Sequence, residues 1–333
     1  MPTVLITPER LRDQAGPHLD LLREAGFDIQ FPRNPLLARG LCSDEETIDE
    51  LQNIDATLAS TENYNQRVLS ALPGLRVIAR TGVGYDRVDV PFATECSVAV
   101  CITPNGNHEA VAELALGLMF ATSKSVVRND KRVRAGEWPR EILMPIRGRT
   151  LGVFGLGRIG RSTAVRAQAL GMTVIATEQF PDTAFLAERG IELVDFEQLL
   201  DRSDYLTIHA PLTDETRGLF NRQTLGKMKQ GSVLINTARG PLVVEKDLCE
   251  ALASGHLRAA GLDVFEREPP ASDHPLFALE NVVLSPHMAG ADETSSVAMS
   301  VEAATNIAML SQDQWPVGAV VNQALQENWT WRR

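Results

Sequence analysis

The stretch from Thr150 to Glu178 constrains the fold of this chain more than any other. An apolar run at residues 150–154 is long enough for one buried strand, and it leads directly into Gly155-Leu156-Gly157-Arg158-Ile159-Gly160. The residues that follow keep apolar side chains at helical spacing until Gly171 ends the pattern. A second apolar run then closes with Glu178. The order of strand, glycine-rich turn, helix, strand and acid is typical of a dinucleotide-binding fold.

Each glycine of this turn has a reason of its own. Gly155 permits the tight turn after the strand, Gly157 has no side chain to keep a pyrophosphate off the backbone, and Gly160 lets the helix pack closely against the strand. The free N–H groups at the positive end of the helix then face the phosphates. The turn is therefore predicted to bind a dinucleotide. The glycines alone leave open the alternative of a purely structural turn.

Glu178 stands at the end of the second strand, 18 residues after Gly160 (178 − 160). A carboxylate at this point can accept hydrogen bonds from the hydroxyl groups of the adenosine ribose, and it would repel a 2′-phosphate. The cofactor predicted from this stretch is therefore NAD rather than NADP.

Length and charge set the broad class of the protein. A chain of 333 residues exceeds the usual size of one domain, so two domains with their own cores are expected. The formal charge of −11, without a dense Lys/Arg run, argues against nucleic-acid binding. Residues 1–7 resemble a strand rather than a signal peptide, and no apolar run approaches the roughly 20 residues that span a bilayer. The cysteines show no ligand-like spacing, so we expect no metal site and a reducing cytoplasm: Cys42, Cys96, Cys101 and Cys249.

Strand and helix patterns alternate along most of the chain. In the first hundred residues this alternation, which includes a helix predicted over residues 9–25, indicates a small parallel α/β domain. The same alternation continues after Glu178 to a last strand at residues 281–285. A helix predicted over residues 292–310 is long enough to return the chain to the first domain. The fold class is therefore α/β, with two parallel-sheet domains.

The helix predicted from Glu109 to Ala121 is apolar on most of its circumference. A helix of this kind must be buried. The sequence leaves two partners open, the other domain or a second subunit.

The turn Thr81-Gly82-Val83-Gly84-Tyr85-Asp86 directly follows a predicted strand. Its glycines let backbone N–H groups converge on an anion, which would suit a carboxylate. A tight turn built of small residues is the alternative that these residues leave open.

Four polar residues follow predicted strands at the edge where open parallel sheets bind ligands: Arg239, Asp263, Glu268 and His287. Arg239 suits a two-pronged grip on a carboxylate, and His287 is the natural proton carrier near neutral pH. Glu268, fixed by Pro269-Pro270, would hold the far imidazole nitrogen and favour the protonated ring. Taken singly, Arg239 could be an ion-pair partner, Glu268 a loop charge and His287 a core histidine. Together at successive strand ends they favour chemistry.

We interpret four other histidines as structural or solvated: His18, His108, His256 and His274. His209 ends a predicted strand just before Ala210-Pro211-Leu212-Thr213, where the cofactor is expected to lie. We interpret His209 as shaping that loop.

Several further motifs follow in order along the chain: Thr103-Pro104-Asn105-Gly106-Asn107, His209-Ala210-Pro211-Leu212-Thr213, Asn236-Thr237-Ala238-Arg239-Gly240, Gly261-Leu262-Asp263-Val264-Phe265, Glu268-Pro269-Pro270 and Ser285-Pro286-His287. With the two glycine-containing turns, this series strongly resembles the D-isomer-specific 2-hydroxyacid dehydrogenases, and most of all their 3-phosphoglycerate dehydrogenase branch. The likeness extends over about residues 50–310.

The resemblance implies a Rossmann-like NAD-binding domain over residues 102–288, inserted into a flavodoxin-like substrate-binding domain formed by residues 1–101 and 289–333. It implies a homodimer with the helix from Glu109 at the interface. The implied activity is hydride transfer between NAD(H) and C2 of a small D-2-hydroxy acid or 2-oxo acid. Substrates of the 3-phosphoglycerate, hydroxypyruvate and glyoxylate types are the candidates.

The resemblance also implies roles for individual residues. Arg239 would bind the carboxylate and carbonyl of the substrate, His287 would be the acid and base, and Glu268 would pair with His287. Further substrate contacts are expected from Arg80, Thr81, Gly82 and Val83. Contacts with NAD are expected from Val83, Gly155, Gly157, Arg158, Ile159, Gly160, Glu178, His209, Ala210, Pro211, Thr216, Thr237, Ala238 and Asp263.

Two features depart from the phosphoglycerate-specific pattern. Such relatives often carry an arginine in the loop after the third strand, where this chain reads Ala59-Ser60-Thr61-Glu62. Arg80 is the obvious cation nearby, and Glu62 would repel a phosphate if it pointed inward. The chain also ends soon after residue 322, so the regulatory serine-binding domain of some relatives is expected to be missing. Some family members act as NAD(H)-sensing corepressors that bind protein partners, and that function is the alternative to an enzyme.

Overall fold

The computed structural model describes residues 1–12 and 14–331. The chain forms two compact units. Unit 1 consists of Met1–Asn107 and Ala291–Arg333, and unit 2, His108–Gly290, is inserted as one continuous segment. Each unit contains one parallel sheet flanked by helices. The predicted fold class, two parallel-sheet α/β domains with one inserted into the other, is confirmed. Asp13, in the helix predicted over residues 9–25, and the last two residues of the chain lie outside the described residues.

Unit 1 begins with alternating strands and helices: β1 (Thr3–Ile6), α1 (Pro17–Glu24), β2 (Asp28–Gln30), α2 (Asp44–Leu51), β3 (Ala56–Ala59), α3 (Gln66–Ser70), β4 (Val77–Arg80), α4 (Val90–Glu95) and β5 (Ala99–Cys101). Its five strands pair in the order β2-β1-β3-β4-β5, which is the flavodoxin-like order. β3 and β4 are buried along their whole length, as strands covered by helices on both faces must be.

The helix predicted over residues 9–25 is wrong in its first half. Glu9–Leu11 forms one short 3-10 turn, and α1 begins only at Pro17. Proline disfavours helical backbone at the residue before it, and Gly16 is fully extended (φ 177°). The helix α4 is not predicted from the sequence. Its start nevertheless carries a helix signal: the Asp89 side chain accepts the N–H of Phe92 at 3.0 Å, and Pro91 lies in the first turn.

Unit 2 contains the remaining strands and all but one of the other helices: α5 (His108–Ser123), α6 (Val126–Arg134), β6 (Thr150–Phe154), α7 (Arg158–Ala169), β7 (Thr173–Thr177), α8 (Thr183–Arg189), β8 (Glu192–Leu193), α9 (Phe196–Arg202), β9 (Tyr205–Ile208), α10 (Arg222–Leu225), β10 (Ser232–Asn236), α11 (Glu245–Ala253), β11 (Leu257–Leu262) and β12 (Val282–Leu284). The strand order is β12-β11-β10-β9-β6-β7-β8. Counted within the unit, this is the Rossmann order with one strand added at the edge.

Apolar side chains cover both faces of each sheet. In unit 1, the last helix, α12 (Glu293–Ser311), buries Ala303, Ala304 and Ile307 against the sheet, so the chain does return to the first unit after the insertion. In unit 2, α5 packs on α7 and on β10 and β11. Local signals start several helices; Ser43 and Glu46, for example, form a capping box at α2.

Among the described residues, no single helix is both long and apolar enough to cross a membrane. Only α5 and α6 taken together meet the length and composition of a span, and the chain bends by 55° between them.

Candidate active site

The glycine-rich turn after β6 has three glycines with three different surroundings. Gly155 has a left-handed φ of +95°, and a Cβ on it would lie 2.7 Å from the backbone nitrogen of Ala210. A Cβ on Gly160 would lie 2.1 Å from the carbonyl oxygen of Gly155. No atom lies within 4 Å of the Cβ position of Gly157. The fold therefore requires the first and third glycines, whereas the backbone at the second faces open space, as a pyrophosphate needs.

The helix α7 starts beside this open space with Arg158 and Ile159. Its N-cap is Gly157, which has no side chain with which to cap the first N–H groups. Those N–H groups and the positive end of the helix form an anion-binding position. The turn thus fits the phosphates of a dinucleotide.

Glu178 follows β7 and binds back to the glycine-rich turn. Its Oε2 accepts the N–H of Leu156 at 2.6 Å, and its Oε1 accepts the N–H of Phe180 at 2.9 Å. An ionised carboxylate can accept about four hydrogen bonds, so two positions remain for ribose hydroxyls. The ribose contact of Glu178 stays a prediction. The structure shows a second role for this carboxylate, which stabilises the glycine-rich turn through the N–H of Leu156.

His209 and the loop after it lie against Gly155. The backbone N–H of His209 donates to Phe154 O at 2.8 Å, and its Nε2 lies 3.0 Å from the Thr207 hydroxyl. Its Nδ1 is enclosed and has no hydrogen-bond partner among the described residues. Burial lowers the pKa of His209 to about 3, so this ring is uncharged near neutral pH. Thr216 closes the loop by donating to Pro211 O at 2.8 Å.

Asn236, the last residue of β10, shapes the turn that carries Arg239. Its Oδ1 accepts the N–H of Ala238 at 3.0 Å, and its Nδ2 donates to Arg239 O at 2.9 Å. Thr237 lies within this turn, and its hydroxyl is enclosed without a hydrogen-bond partner among the residues described. An enclosed hydroxyl of this kind fits a bound cofactor that would supply the partner. The sequence singled out Thr237, Ala238 and Arg239 but not the supporting role of Asn236.

Gly240 brings the loop with Glu268 next to Arg239. A Cβ at residue 240 would lie 1.9 Å from the carbonyl carbon and oxygen of Phe265, so only glycine fits there. Within the loop, the N–H of Phe265 donates to Glu268 Oε1 at 3.0 Å. The charge of Arg239 acts on the same carboxylate and lowers its pKa.

Glu268 and His287 are in direct contact. Glu268 Oε2 lies 2.6 Å from His287 Nδ1. Burial raises the pKa of Glu268, but the hydrogen bond and charge of His287, the N–H of Phe265 and the charge of Arg239 together lower it below its ordinary value. His287 Nε2 makes no hydrogen bond with any described residue, and the side chain is 43% exposed. The structure therefore brings together three residues that the sequence predicted, Arg239, Glu268 and His287.

Asp263 holds the segment that carries His287. It is fully buried, and its two carboxylate oxygens accept the N–H groups of Met288 and Ala289 at 2.9 and 2.8 Å. The N–H of His287 donates to Asp263 O at 2.8 Å. His287 has a left-handed backbone (φ +55°), which is rare for a residue other than glycine, and these bonds fix it. The predicted contact of Asp263 with NAD stays a prediction.

A second brace supports the Glu268 loop from behind. Glu245 and Glu266 each accept the backbone N–H of the other at 2.8 Å, and Glu245 Oε2 lies 2.9 Å from His274 Nε2. Because His274 Nδ1 accepts the N–H of Leu276 at 3.3 Å, the ring hydrogen sits on Nε2 and is donated to Glu245. His274 thus has a structural role, but its contact with Glu245 is not predicted from the sequence.

The turn predicted to bind a carboxylate in unit 1 has an ordered backbone. The N–H of Thr81 donates to Ala59 O at 2.9 Å, and Arg80 Nε donates to Gly84 O at 3.1 Å. Gly82 has a φ of +159°. Arg80, predicted to contact substrate, thus also shapes the turn.

Glu62 points inward. It is fully buried in unit 1, and neither carboxylate oxygen has a hydrogen bond of normal length to a described residue. Burial raises the pKa of Glu62, while the Thr7 hydroxyl and the charge of Arg80 lower it. The effect of burial is the larger one, so the pKa of Glu62 is raised above its ordinary value and the uncharged carboxyl form is favoured.

The surroundings of the glycines predict different effects of alanine at two positions of the turn. Gly160→Ala forces Cβ onto the Gly155 carbonyl and is expected to destabilise the protein by about 1–3 kcal/mol. Gly157→Ala meets no atom, so its free energy of unfolding should stay within about 0.5 kcal/mol of the wild type while NADH binds about tenfold or more weakly. Urea unfolding and a fluorescence titration with NADH measure both. Unchanged NADH affinity in Gly157→Ala would contradict the predicted pyrophosphate position.

Replacing Asp263 tests how His287 is held. In Asp263→Asn, the amide NH₂ would face a backbone N–H, so one buried bond is lost and the expected cost is about 1–3 kcal/mol in the free energy of unfolding. The matched control is Asp273→Asn, which changes the same charge at an exposed site. Equal unfolding midpoints for the two variants would show that the Asp263 bonds do not stabilise the segment.

Comparison with known proteins agrees with this geometry. Residues 116–289 match the family model described as "D-isomer specific 2-hydroxyacid dehydrogenase, NAD binding domain". A glyoxylate reductase of Korarchaeum cryptofilum is 38% identical over 283 residues, which are 83% of this chain and 85% of that protein. A glyoxylate reductase structure from Paecilomyes thermophila superposes with a TM-score of 0.84 at 27% identity, covering 97% of this chain and 99% of that one.

A D-3-phosphoglycerate dehydrogenase of Archaeoglobus fulgidus is 37% identical over 307 residues, which are 91% of this chain. The chain spans only 57% of the length of that relative. The family match covers the glycine-rich turn, Glu178, Arg239, Glu268 and His287 in one continuous segment. The chain therefore belongs to the family of D-isomer-specific 2-hydroxyacid dehydrogenases, and its cofactor is NAD.

Proposed function

We propose that this protein catalyses the NAD-dependent interconversion of a small 2-oxo acid and the corresponding D-2-hydroxy acid. The observation that carries the proposal is the contact of 2.6 Å between His287 Nδ1 and Glu268 Oε2. Arg239, in the turn after β10, lies close enough for its charge to act on Glu268. Reduction of a 2-oxo acid requires a proton donor and a group that binds the carboxylate. The oriented imidazole of His287 can be the first, and the guanidinium of Arg239 the second.

In the proposed reaction, NADH supplies the hydride that C2 receives. Arg239 binds the carboxylate and carbonyl oxygens of the substrate and stabilises the negative charge that develops on the carbonyl oxygen. His287 donates the proton from Nε2 to that oxygen. In the reverse direction, neutral His287 accepts the hydroxyl proton.

Glu268 is proposed to keep His287 in the orientation that the proton transfer needs. Its lowered pKa keeps it ionised near neutral pH, so the carboxylate accepts the Nδ1 hydrogen and leaves Nε2 for the substrate. The buried Asp263 carboxylate and the brace of Glu245 with His274 hold the two segments in place.

Unit 1 is proposed to serve as the substrate-binding domain, and unit 2 as the NAD-binding domain. Two features of unit 1 support this. The turn at Gly82–Gly84 offers backbone N–H groups to a carboxylate, whereas the Thr81 N–H already donates to Ala59 O, and Arg80 Nε donates to Gly84 O and shapes that turn. The loop after β3 reads Ala59-Ser60-Thr61-Glu62 and offers no arginine to a phosphate, so we propose an unphosphorylated substrate of the hydroxypyruvate or glyoxylate type over 3-phosphoglycerate.

The experiment that tests this function is NADH oxidation measured with a panel of 2-oxo acids. The panel contains glyoxylate, hydroxypyruvate, pyruvate and phosphohydroxypyruvate at equal concentration. The proposal expects kcat/KM for hydroxypyruvate or glyoxylate to exceed that for phosphohydroxypyruvate. A preference for the phosphorylated substrate would contradict the proposed unphosphorylated substrate, and no turnover of any member would contradict the proposed activity.

His287→Ala removes the proton donor. The expected loss in kcat is about 10²–10⁴-fold, because general acid catalysis contributes that much, while the dissociation constant for NADH should remain near the wild-type value. Steady-state kinetics and a fluorescence titration measure the two quantities. Near-normal kcat in a correctly folded His287→Ala protein would rule out the proposed acid.

We also propose that the protein is a homodimer that associates through the segment from α5 to the connection after α6. This part of unit 2 exposes a group of large apolar side chains: Phe120, Val126, Val127, Val133, Trp138 and Ile142. Trp138 is 77% exposed and Ile142 96%. Apolar surface of this extent is typical of a protein–protein contact.

Charged substitutions test the dimer. Trp138→Glu with Ile142→Glu is expected to halve the mass measured by light scattering, because two carboxylates would be buried at the contact. Phe180→Glu is the control, since Phe180 is also 80% exposed but lies outside that segment. A monomeric wild type, or a double variant that keeps the wild-type mass, would contradict the proposal.

A further inference from the structure

Unit 1 contains a cavity of about 350 Å³ that the proposed reaction does not use. It lies between the segment that follows β1 and the start of α12. Its lining includes Arg10, Gln14, His18, Asp292 and Ser296. Both walls belong to unit 1, so the cavity is a property of that unit alone.

Arg10 carries a positive charge that no described carboxylate balances. Its Nε donates to the Ser296 hydroxyl at 2.9 Å, and its Nη2 is enclosed without a hydrogen-bond partner among the described residues. Burial lowers the pKa of Arg10, and no acidic neighbour counteracts that effect. The adjacent Glu9 is bound to Arg39 at 2.8 Å instead. A guanidinium keeps its proton, so an enclosed one without a counter-charge is costly unless an anion binds.

His18 adds a second unsatisfied group at the same cavity. Its side chain is almost completely buried, with 3% of its surface exposed, and its Nε2 is enclosed without a partner in the described part of the chain. The ring lies against Gly16, whose Cβ position is 3.1 Å from Nδ1. Gly16 is also the N-cap of α1 and has no side chain to cap the helix. The positive end of an uncapped helix thus faces the same region as the two side chains.

The acidic residues of the lining do not replace an anion. Asp292 and Glu293 are exposed to solvent, which screens their charges. The Asp292 carboxylate already accepts the N–H of Ser295 at 2.6 Å as the cap of α12. Their position at the rim disfavours a large polyanion, and a small ligand with one anionic group is favoured.

We propose that this cavity binds a carboxylate or phosphate group of a small molecule, held by Arg10 and His18. The anionic oxygens supply the acceptor that Arg10 Nη2 lacks and a partner for the His18 ring. Ser296 keeps the guanidinium in position for this contact. The site is separate from the proposed reaction, since none of its residues takes part in that chemistry.

Calorimetric titration of the full chain with inorganic phosphate and, separately, with acetate, at constant ionic strength set by chloride, tests the proposal. The wild type should bind at least one of the two in a saturable way, and the tighter of the two identifies the favoured head group. Arg10→Gln should weaken that binding by about tenfold or more, because a charge-assisted hydrogen bond is lost. Arg12→Gln, the control, removes the same charge outside the cavity and should bind like the wild type.

Two further variants separate this site from others. His18→Gln should also weaken binding, and it gives a second measure should Arg10→Gln not fold. Arg239→Gln should leave this binding intact, because an anion held at the proposed reaction centre would depend on Arg239 instead. No saturable binding by the wild type, equal affinity in Arg10→Gln, His18→Gln and Arg12→Gln, or loss only in Arg239→Gln would each overturn the proposal.

Discussion

The buried carboxylate of Asp263 is the interaction on which the proposed site depends most. β10, β11 and β12 are neighbouring parallel strands, so the residues that follow them emerge at one edge of the sheet. Asp263 follows β11 and binds the N–H groups of Met288 and Ala289, beyond β12. A buried carboxylate without these donors would be strongly unfavourable, so the segment and the carboxylate stabilise one another. The left-handed backbone of His287 is a consequence of this arrangement.

The two units treat buried charge differently. In unit 2, Asp263 and Glu268 have backbone or imidazole donors, and their charges are built into a fixed arrangement. In unit 1, the two carboxylate oxygens of Glu62 and the Nη2 atom of Arg10 are enclosed and have no hydrogen-bond partner among the described residues. Satisfied charges fix a geometry in advance of binding, whereas unsatisfied ones indicate that a proton or a ligand completes the site. The proposed chemistry uses the satisfied charges of unit 2, and the proposed anion binding uses the unsatisfied guanidinium of Arg10 in unit 1.

Local constraints made part of this structure predictable from sequence. The turn at Gly155–Gly160 could be predicted because the strand, the helix and the close approaches that require glycine are all encoded within a few residues. The pairing of Glu268 with His287 could be predicted from their positions at successive strand ends and from the family resemblance, but its distance could not. Its distance depends on the path of a loop that Gly240 admits to the sheet edge, and no periodic pattern describes such a path. The helix predicted over residues 9–25 is wrong in its first half because Gly16-Pro17 stops helical backbone in spite of the apolar spacing around it.

The central claim is that a hydride reaches C2 of a 2-oxo acid while His287, held by Glu268, protonates the oxygen. The most direct measurement uses NADH carrying deuterium at the transferred position, with hydroxypyruvate as substrate and mass spectrometry and chiral chromatography of the product. The account predicts glycerate with one deuterium at C2 and the D configuration. Glycerate without deuterium at C2, or of the L configuration, would contradict it.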